Sequence, residues 1–197
     1  YNFELWKSLE IPIPPLELQQ QIVSILDADH AVIRANKELI AMYETRKKGI
    51  IFANTLYVPM LKIIECADIK GGKRLPAGKS FSDTETSYKY FQVADITNTK
   101  TMKFIEEDTY KELINYKLNN DDIIISIAGT IGKIYYFNMN ENVILTENAC
   151  KLIIKSKNLS SKYLFYILQS NLIQDKFKNS YKTTTIPKLS LSSISDT

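Results

Sequence analysis

Residues 11–54 read IPIPPLELQQQIVSILDADHAVIRANKELIAMYETRKKGIIFAN, a proline-rich lead followed by thirty-nine residues without proline. Each residue before a proline is pushed towards extended geometry, so residues 11–15 predict a stiff linker. Pro15 suits the first turn of a helix, where a missing N–H costs nothing, and Glu17 suits the positive helix start. The stretch from Leu16 to about Asn54 therefore predicts one helix, roughly 58 Å long at 1.5 Å per residue.

Apolar residues recur along this helix in heptad steps, with polar residues in some of the slots. This seam is typical of a coiled coil whose polar positions fix register and partner choice. A second apolar line, Ile25, Val32 and Leu39, runs beside it. One helix cannot bury these stripes alone, so it predicts either a dimerisation stalk or a spacer that pairs with a similar helix and docks another protein. The residues predicted to hold the partner helix are Ile22, Leu26, Ile33, Ile40, Tyr43 and Ile50.

The composition of the 197 residues, 45% hydrophobic and 24% charged, excludes the disordered and collagen-like classes. No apolar run approaches the length of a membrane span. Cys66 and Cys150 stand far apart and His30 is the single histidine, so a disulfide scaffold or zinc site is not expected. Because no signal segment opens the chain, we expect a cytoplasmic protein.

The net charge of +3 conceals an uneven distribution. Between Lys151 and Lys188, eight lysines accompany one acid, Asp175, with aromatic residues among them. A local excess of about seven positive charges suits a polyanion, because each neutralised phosphate releases a counterion. The same pattern equally suits a solvated lysine face on a helix with a buried aromatic stripe.

After Asn54 the hydrophobic period changes to that of strands, which we predict at residues 88–93, 123–128, 133–137 and 150–154. Ser160 or Ser161 is predicted to cap a helix that runs to about Asn179. The predicted fold class is therefore α+β: a long coiled-coil-type helix followed by a compact mixed α/β domain of about 140 residues.

Gly129-Thr130-Ile131-Gly132-Lys133 has too short a spacing for a phosphate-binding P-loop, and a strand rather than a helix follows it. We interpret these five residues as a glycine-punctuated turn between two strands, with Thr130 and Lys133 at its tip. Glycines permit close backbone approach, so the turn and its lysine suit a contact with a DNA phosphate.

Two further segments and two single residues suit DNA contacts. Residues 71–79 form a basic loop whose arginine suits guanine, Gln92 and Asn148 suit adenine, and residues 181–185 offer a lysine and hydroxyls for phosphate. Each segment would serve equally well as ordinary solvated surface. The residues predicted to contact DNA are Lys73, Arg74, Lys79, Gln92, Thr130, Lys133, Asn148, Lys182, Thr183 and Thr184.

Catalytic motifs are missing from the sequence. Asp68-Ile69-Lys70 matches the end of a nuclease signature but lacks an identifiable upstream carboxylate. No nucleophile elbow, zinc-protease motif or glycine-rich dinucleotide loop occurs. We therefore expect no catalytic residue, metal or cofactor in this chain. The alternative to a DNA-recognition module is a coiled-coil assembly protein whose globular part binds another protein.

The sequence resembles the specificity subunits of Type I restriction-modification systems over essentially its whole length. Residues 11–22, which lead into the long helix, resemble the conserved region of that family. Five later stretches resemble the target recognition domain of the family. They are the Gly-Gly loop, residues 91–96 (FQVADI), residues 120–126 (NDDIIIS), the turn at 129–133 and residues 184–190 (TTIPKLS). Lys73-Arg74 replaces the Gly-Thr-Pro often found there, and no base-contacting residue is carried over.

The resemblance implies a subunit without catalytic activity, whose two recognition domains each read half of a bipartite site and are separated by two antiparallel helices. It implies as partners double-stranded DNA, a methyltransferase (modification) subunit that uses S-adenosylmethionine, and an ATP-driven restriction subunit. This chain resembles one half: residues 1–15 as the tail of a preceding recognition domain with its linker, 16–55 as the conserved spacer and dimerisation helix, and 56–197 as the target recognition domain. The other half would come from the same longer chain or from a second copy.

Overall fold

The computed structural model describes residues 12–55, 57–181 and 188–197, and the chain divides into two compact units, Tyr1–Ala53 and Asn54–Thr197. Helix α1 spans Leu16–Thr55, forty residues without interruption. The N–H of Gln19 donates to the Pro15 carbonyl at 3.0 Å. The long helix predicted to begin after the proline pair is therefore confirmed, with a length of about 60 Å.

No residue of α1 is buried. The six side chains predicted to face a partner helix are largely open to solvent, with Ile33 49% and Ile40 63% exposed. Apolar stripes of this kind normally gain their stability by packing against another element. Within the described residues, no helix can cross a membrane on the measure of length and hydropathy.

The described residues of the second unit form two sheets. The first has the strand order β1 (Ala67–Gly71), β7 (Ala149–Ile154), β4 (Ile123–Ser126) and β5 (Ile134–Tyr136), and all its neighbours are antiparallel. The second has the order β3 (Lys103–Phe104), β2 (Tyr88–Phe91) and β6 (Asn142–Leu145). β2 and β6 are parallel. With α1, these sheets and their helices give the α+β fold that the sequence predicted.

In the part of this unit that the structure describes, five short helices accompany the sheets: α2 (Ile63–Cys66), α3 (Glu107–Glu112), α4 (Ser161–Leu168), α5 (Asn171–Tyr181) and α6 (Leu191–Ser195). Short 3₁₀ turns occupy 93–96, 99–101 and 114–116. Ser160 caps α4 as predicted, accepting from the N–H of Tyr163. The single helix predicted to run to Asn179 is wrong: the chain turns at Ser170, whose N–H bonds to the Ile167 carbonyl at 2.9 Å, and α5 begins anew.

β4 lies between two cores. Ile123 and Ile125 pack in the cluster that includes Leu168 of α4 and Phe177 of α5, while Ile124 packs on the opposite face with residues of the second sheet. A strand buried on both faces needs apolar residues at every position, which explains the unbroken isoleucine run.

Lys151 and Asp122 form an ion pair inside the second unit. In the β4–β7 register Lys151 lies opposite Ile124, and its Nζ is 2.9 Å from Asp122 Oδ2, with 5% and 4% of the two side chains exposed. The ammonium also donates to the Lys117 carbonyl at 2.5 Å. Lys151 therefore does not belong to the basic surface predicted for residues 151–188, because the buried pair neutralises its charge.

The connection from β6 to β7 passes from the second sheet to the first; we call residues 145–149 the crossing segment. The Thr146 N–H donates to the Phe91 carbonyl at 3.0 Å, beside β2, and the Ala149 carbonyl accepts from Gly72 N–H at 3.0 Å, beyond β1. The Lys73 N–H donates to the Leu145 carbonyl at 2.9 Å. The loop that leaves β1 is therefore hydrogen-bonded to both ends of the crossing segment.

Gly72 permits this close approach. A Cβ atom at Gly72 would lie 2.0 Å from the Thr146 carbonyl oxygen and 2.5 Å from that of Leu145. At Gly71 the nearest atom would be Leu191 Cδ1, at an ordinary 3.8 Å. Of the two adjacent glycines, only the second is required by packing.

Lys151→Met should lower the free energy of unfolding by about 3–5 kcal/mol, because it leaves the Asp122 carboxylate buried without its cation. Lys155→Met is the control: Lys155 pairs with Asp68 at 3.5 Å, and 41% and 55% of these side chains are exposed, so the loss should stay below about 1 kcal/mol. Urea unfolding followed by near-ultraviolet circular dichroism measures both. Equal losses in the two variants would contradict a structural role for the buried pair.

Gly72→Ala should lower the free energy of unfolding by about 1–3 kcal/mol, since the new methyl group displaces backbone of the crossing segment. Gly71→Ala, one residue away, should leave it unchanged or raise it by up to about 1 kcal/mol, because alanine loses less backbone entropy in a strand. The same urea titration compares them. A Gly72→Ala protein as stable as Gly71→Ala would show that the close approach is not needed.

Candidate nucleic-acid interface

Three of the predicted residues lie on the loop after β1 or beside it on the crossing segment. The Tyr90 hydroxyl donates to the Lys73 carbonyl at 2.6 Å and fixes the loop from beneath. Burial raises the pKa of Tyr90 to about 12, so its hydroxyl remains a donor at neutral pH. Arg74 Nε lies 3.8 Å from Glu147 Oε1 of the crossing segment, and Asn148 on that segment is exposed.

The turn at 129–133 connects β4 to β5 as predicted. Gly129 and Gly132 have φ angles of 73° and 77°, the left-handed region that favours glycine. The buried Ser126 hydroxyl accepts from the Lys133 N–H at 2.9 Å and donates to the Thr130 carbonyl. The turn is thus closed from within, and the side chains of Thr130 and Lys133 are exposed at its tip.

Helix α5 holds this turn from the other side. The Gln174 side-chain amide donates to the Gly132 carbonyl at 3.0 Å and to the Leu168 carbonyl at 2.8 Å. A Cβ at Gly132 would meet Gln174 Oε1 at 3.2 Å, so the second glycine also makes room for this bridge. The position of Lys133 is therefore set by a strand and a helix together.

The crossing segment brings the predicted residues together. The Asn148 carbonyl accepts from the N–H groups of Ile127 and Ala128, at 2.9 and 3.2 Å, directly before the 129–133 turn. Gln92 follows Phe91, whose carbonyl accepts from Thr146 of the same segment. We call this set the crossing edge; it comprises Lys73, Arg74, Gln92, Thr130, Lys133 and Asn148.

Four predicted residues are not part of the crossing edge as described. Lys79 donates to Asp108 of α3, and this hydrogen bond raises the pKa of Lys79. Lys182, Thr183 and Thr184 lie outside the described residues. The chain re-enters the described part beside the crossing edge, where the Leu189 N–H donates to the Ile127 carbonyl at 2.9 Å.

The lysine-rich segment, residues 151–188, has features of both interpretations: a buried aromatic side chain and exposed aromatic residues among its lysines. Phe177 is buried, as an apolar stripe requires, whereas Tyr163 and Tyr166 are 50% and 40% exposed. Lys178 lies 3.3 Å from Asp175, and Lys176 donates to the Thr197 carbonyl at 2.9 Å. Part of the positive charge counted from the sequence is therefore already paired within the protein.

Sequence reasoning missed Ser126, Gln174 and Glu147. Ser126 ends the 120–126 run that resembles the family, but no role was predicted for its hydroxyl, and Gln174 stands on a helix without a motif. Glu147 is acidic, and a search for basic residues passes over it. Only the hydrogen bonds to the 129–133 turn and the contact with Arg74 reveal these three residues.

Charge on the crossing edge is directed outward. Among the residues that the structure describes, neither Lys73 nor Lys133 forms an ion pair, and both are exposed. No group of three or more His, Cys, Asp or Glu side chains suited to a metal occurs in the described ranges. Cys66 and Cys150 are free thiols, the second of them buried. The edge thus offers hydrogen-bond donors and free cations to an anionic partner.

Comparison with known proteins places the chain in a family. Residues 2–42 and 59–197 match the family model described as Type I restriction modification DNA specificity domain. The MjaVIII Type I restriction enzyme specificity subunit of Methanocaldococcus jannaschii is 26% identical, in an alignment that covers 85% of this chain and 45% of that protein. The chain thus spans less than half of this curated relative.

Solved structures share the fold. The HsdS subunit from Thermoanaerobacter tengcongensis aligns with a TM-score of 0.51 and 17% identity, over 95% of this chain and 47% of that one. A chain from a structure on complex assembly and conformational transition of the type I R-M system aligns with a TM-score of 0.55 and 16% identity, over 95% and 48%. The family match covers most of both units, and this chain belongs to the Type I restriction modification DNA specificity domain family.

Proposed function

We propose that this chain is one half of the specificity subunit of a Type I restriction-modification system, either as a half-subunit or as a fragment of a longer chain, and that its crossing edge reads one half of a bipartite site in double-stranded DNA. The observation that carries the proposal is the convergence of Lys73, Arg74, Lys133 and Asn148 around one hydrogen-bonded segment. Family membership supports it independently. Catalysis would reside in partner subunits.

The crossing edge contains both kinds of group that sequence-specific DNA binding needs. Lys73, Thr130 and Lys133 suit phosphate oxygens, which fix register and orientation without carrying sequence information. Arg74 suits the O6 and N7 atoms of guanine, and Gln92 and Asn148 suit the N6 and N7 atoms of adenine. These residues share a rigid frame of backbone hydrogen bonds, so phosphate contacts can position the base-reading side chains.

In this proposal the three segments of the chain divide the work. Residues 1–15 belong to the tail and linker of a preceding recognition domain, residues 16–55 form the spacer, and residues 56–197 form the target recognition domain. Helix α1 spans about 60 Å, and about 17 base pairs rise 58 Å at 3.4 Å each, which gives an upper limit for the separation of two half-sites. Two readers on one spacer gain affinity through effective concentration, whereas a single reader should bind weakly.

The exposed apolar residues of α1 supply surfaces for two partners. The heptad seam would pack against the matching helix of a second copy or of the other half of the subunit. Ile25, Val32 and Leu39, which are 63%, 60% and 47% exposed, would contact the methyltransferase subunit. The restriction subunit would join the assembled complex for cleavage.

DNA binding should weaken steeply as salt rises, because phosphate contacts release counterions. Lys133→Ala should reduce the slope of log affinity against log salt by about 1. Lys157→Ala is the control. Lys157 is exposed and follows the last residue of β7, whereas the crossing segment leads into the first residue of that strand. Fluorescence anisotropy with a labelled duplex measures the slope. An affinity that does not change with salt would favour the protein-binding assembly module instead.

Ile33→Asp should convert a dimer of the isolated chain into a monomer, because a charge placed in the apolar seam opposes helix pairing. Ala31→Asp introduces the same charge on the opposite side of α1 and should leave the dimer intact. Sedimentation velocity reports the association, and near-ultraviolet circular dichroism checks that the second unit stays folded. A dimeric Ile33→Asp variant would disprove the assigned seam.

A further inference from the structure

Glu147 is a carboxylate on an edge that otherwise offers positive charge and neutral donors. Its side chain is 33% exposed. A negative charge at this place repels the phosphate backbone and so weakens binding to every duplex, whatever its sequence. A carboxylate that weakens binding to all DNA is expected to have a role other than increasing affinity.

The contacts of Glu147 hold it in one place. Its Oε2 accepts from the Thr146 hydroxyl at 3.1 Å and lies 3.3 Å from the Tyr90 hydroxyl, which shares its single proton with the nearer Lys73 carbonyl. Tyr90 and Thr146 are 3% and 4% exposed, so both donors are fixed by packing. With Oε2 anchored, Oε1 is directed to Arg74 Nε, 3.8 Å away.

This geometry determines what Arg74 can offer to a ligand. The guanidinium carries five N–H donors, and the Glu147 carboxylate lies nearest to Nε, as an ion pair beyond hydrogen-bond distance. The two terminal nitrogens stay available as the planar pair that matches O6 and N7 of guanine. The Arg74 side chain is 77% exposed, so this pair is open to a partner.

We propose that Glu147 is a specificity-determining residue, which positions Arg74 for a guanine edge and repels phosphate from the same place. The inference rests on the proposed function, because it assumes that the crossing edge faces DNA. It adds a repulsive element: discrimination improves when wrong complexes are penalised as well as when the right one is favoured.

The test uses the full chain and a pool of duplexes with a short randomised window, from which the wild-type protein selects its preferred sequence. The readout is the ratio of affinity for the selected duplex to affinity for a shuffled duplex of equal composition. Glu147→Gln should lower this ratio about tenfold, mainly by tightening binding to the shuffled duplex, and Arg74→Ala should lower it at least as far. Glu141→Gln is the matched control. Glu141 also forms an ion pair, with Lys89 at 2.7 Å, but it precedes the first residue of β6, whereas Glu147 lies beyond the last.

A merely structural role of Glu147 would give a different result: both affinities would fall together, with a lower free energy of unfolding. That outcome, or a ratio unchanged as in Glu141→Gln, overturns the inference while the proposed function stands. If the wild-type chain selects no sequence and binds no duplex, the proposed function fails and the inference falls with it. Urea unfolding of each variant separates a change in recognition from a change in folding.

Discussion

The close approach of Gly72 to the backbone of residues 145 and 146 is the constraint on which the second unit depends. It lets the loop after β1 bond to Leu145 at one end of the crossing segment and to Ala149 at the other. Because the crossing segment connects the two sheets, this contact fixes the sheets and the loop relative to each other. Loops are ordinarily the mobile part of a binding site, but here hydrogen bonds to strands restrain the loop that carries Lys73 and Arg74.

Burial separates the charges that hold the fold from those available to a partner. Lys151 and Asp122 satisfy each other between the sheets, where an unpaired charge would be strongly unfavourable. Lys73 and Lys133 are exposed and, among the described residues, have no acidic partner. A count of lysines along the sequence mixes these two classes. The proposed DNA surface is consequently smaller than the basic segments of the sequence suggest, and more sharply defined.

The sequence predicted those features that depend on local pattern. Helix α1 follows from forty residues of helical propensity after Pro15, β4 from three adjacent isoleucines, and the 129–133 turn from its two glycines. β1, β3 and β6 were missed, because β1 is a short edge strand with polar residues and β6 gains its parallel partner β2 from fifty residues away. The crossing edge depends on the same long-range strand pairings. Its residues could therefore be predicted one by one from the sequence, but their proximity in the fold could not.

The exposure of α1 connects stability to recognition under the proposed function. A helix that buries none of its residues gains little stability from its own sequence and much more from packing against a partner. The helical structure of α1 should therefore depend on assembly. In that proposal the same partner would supply the second reader, and the paired helices would set the distance between the two half-sites. Specificity for a bipartite site then becomes a property of the assembled pair, because a single reader has neither the fixed spacing nor the effective concentration that two linked readers share.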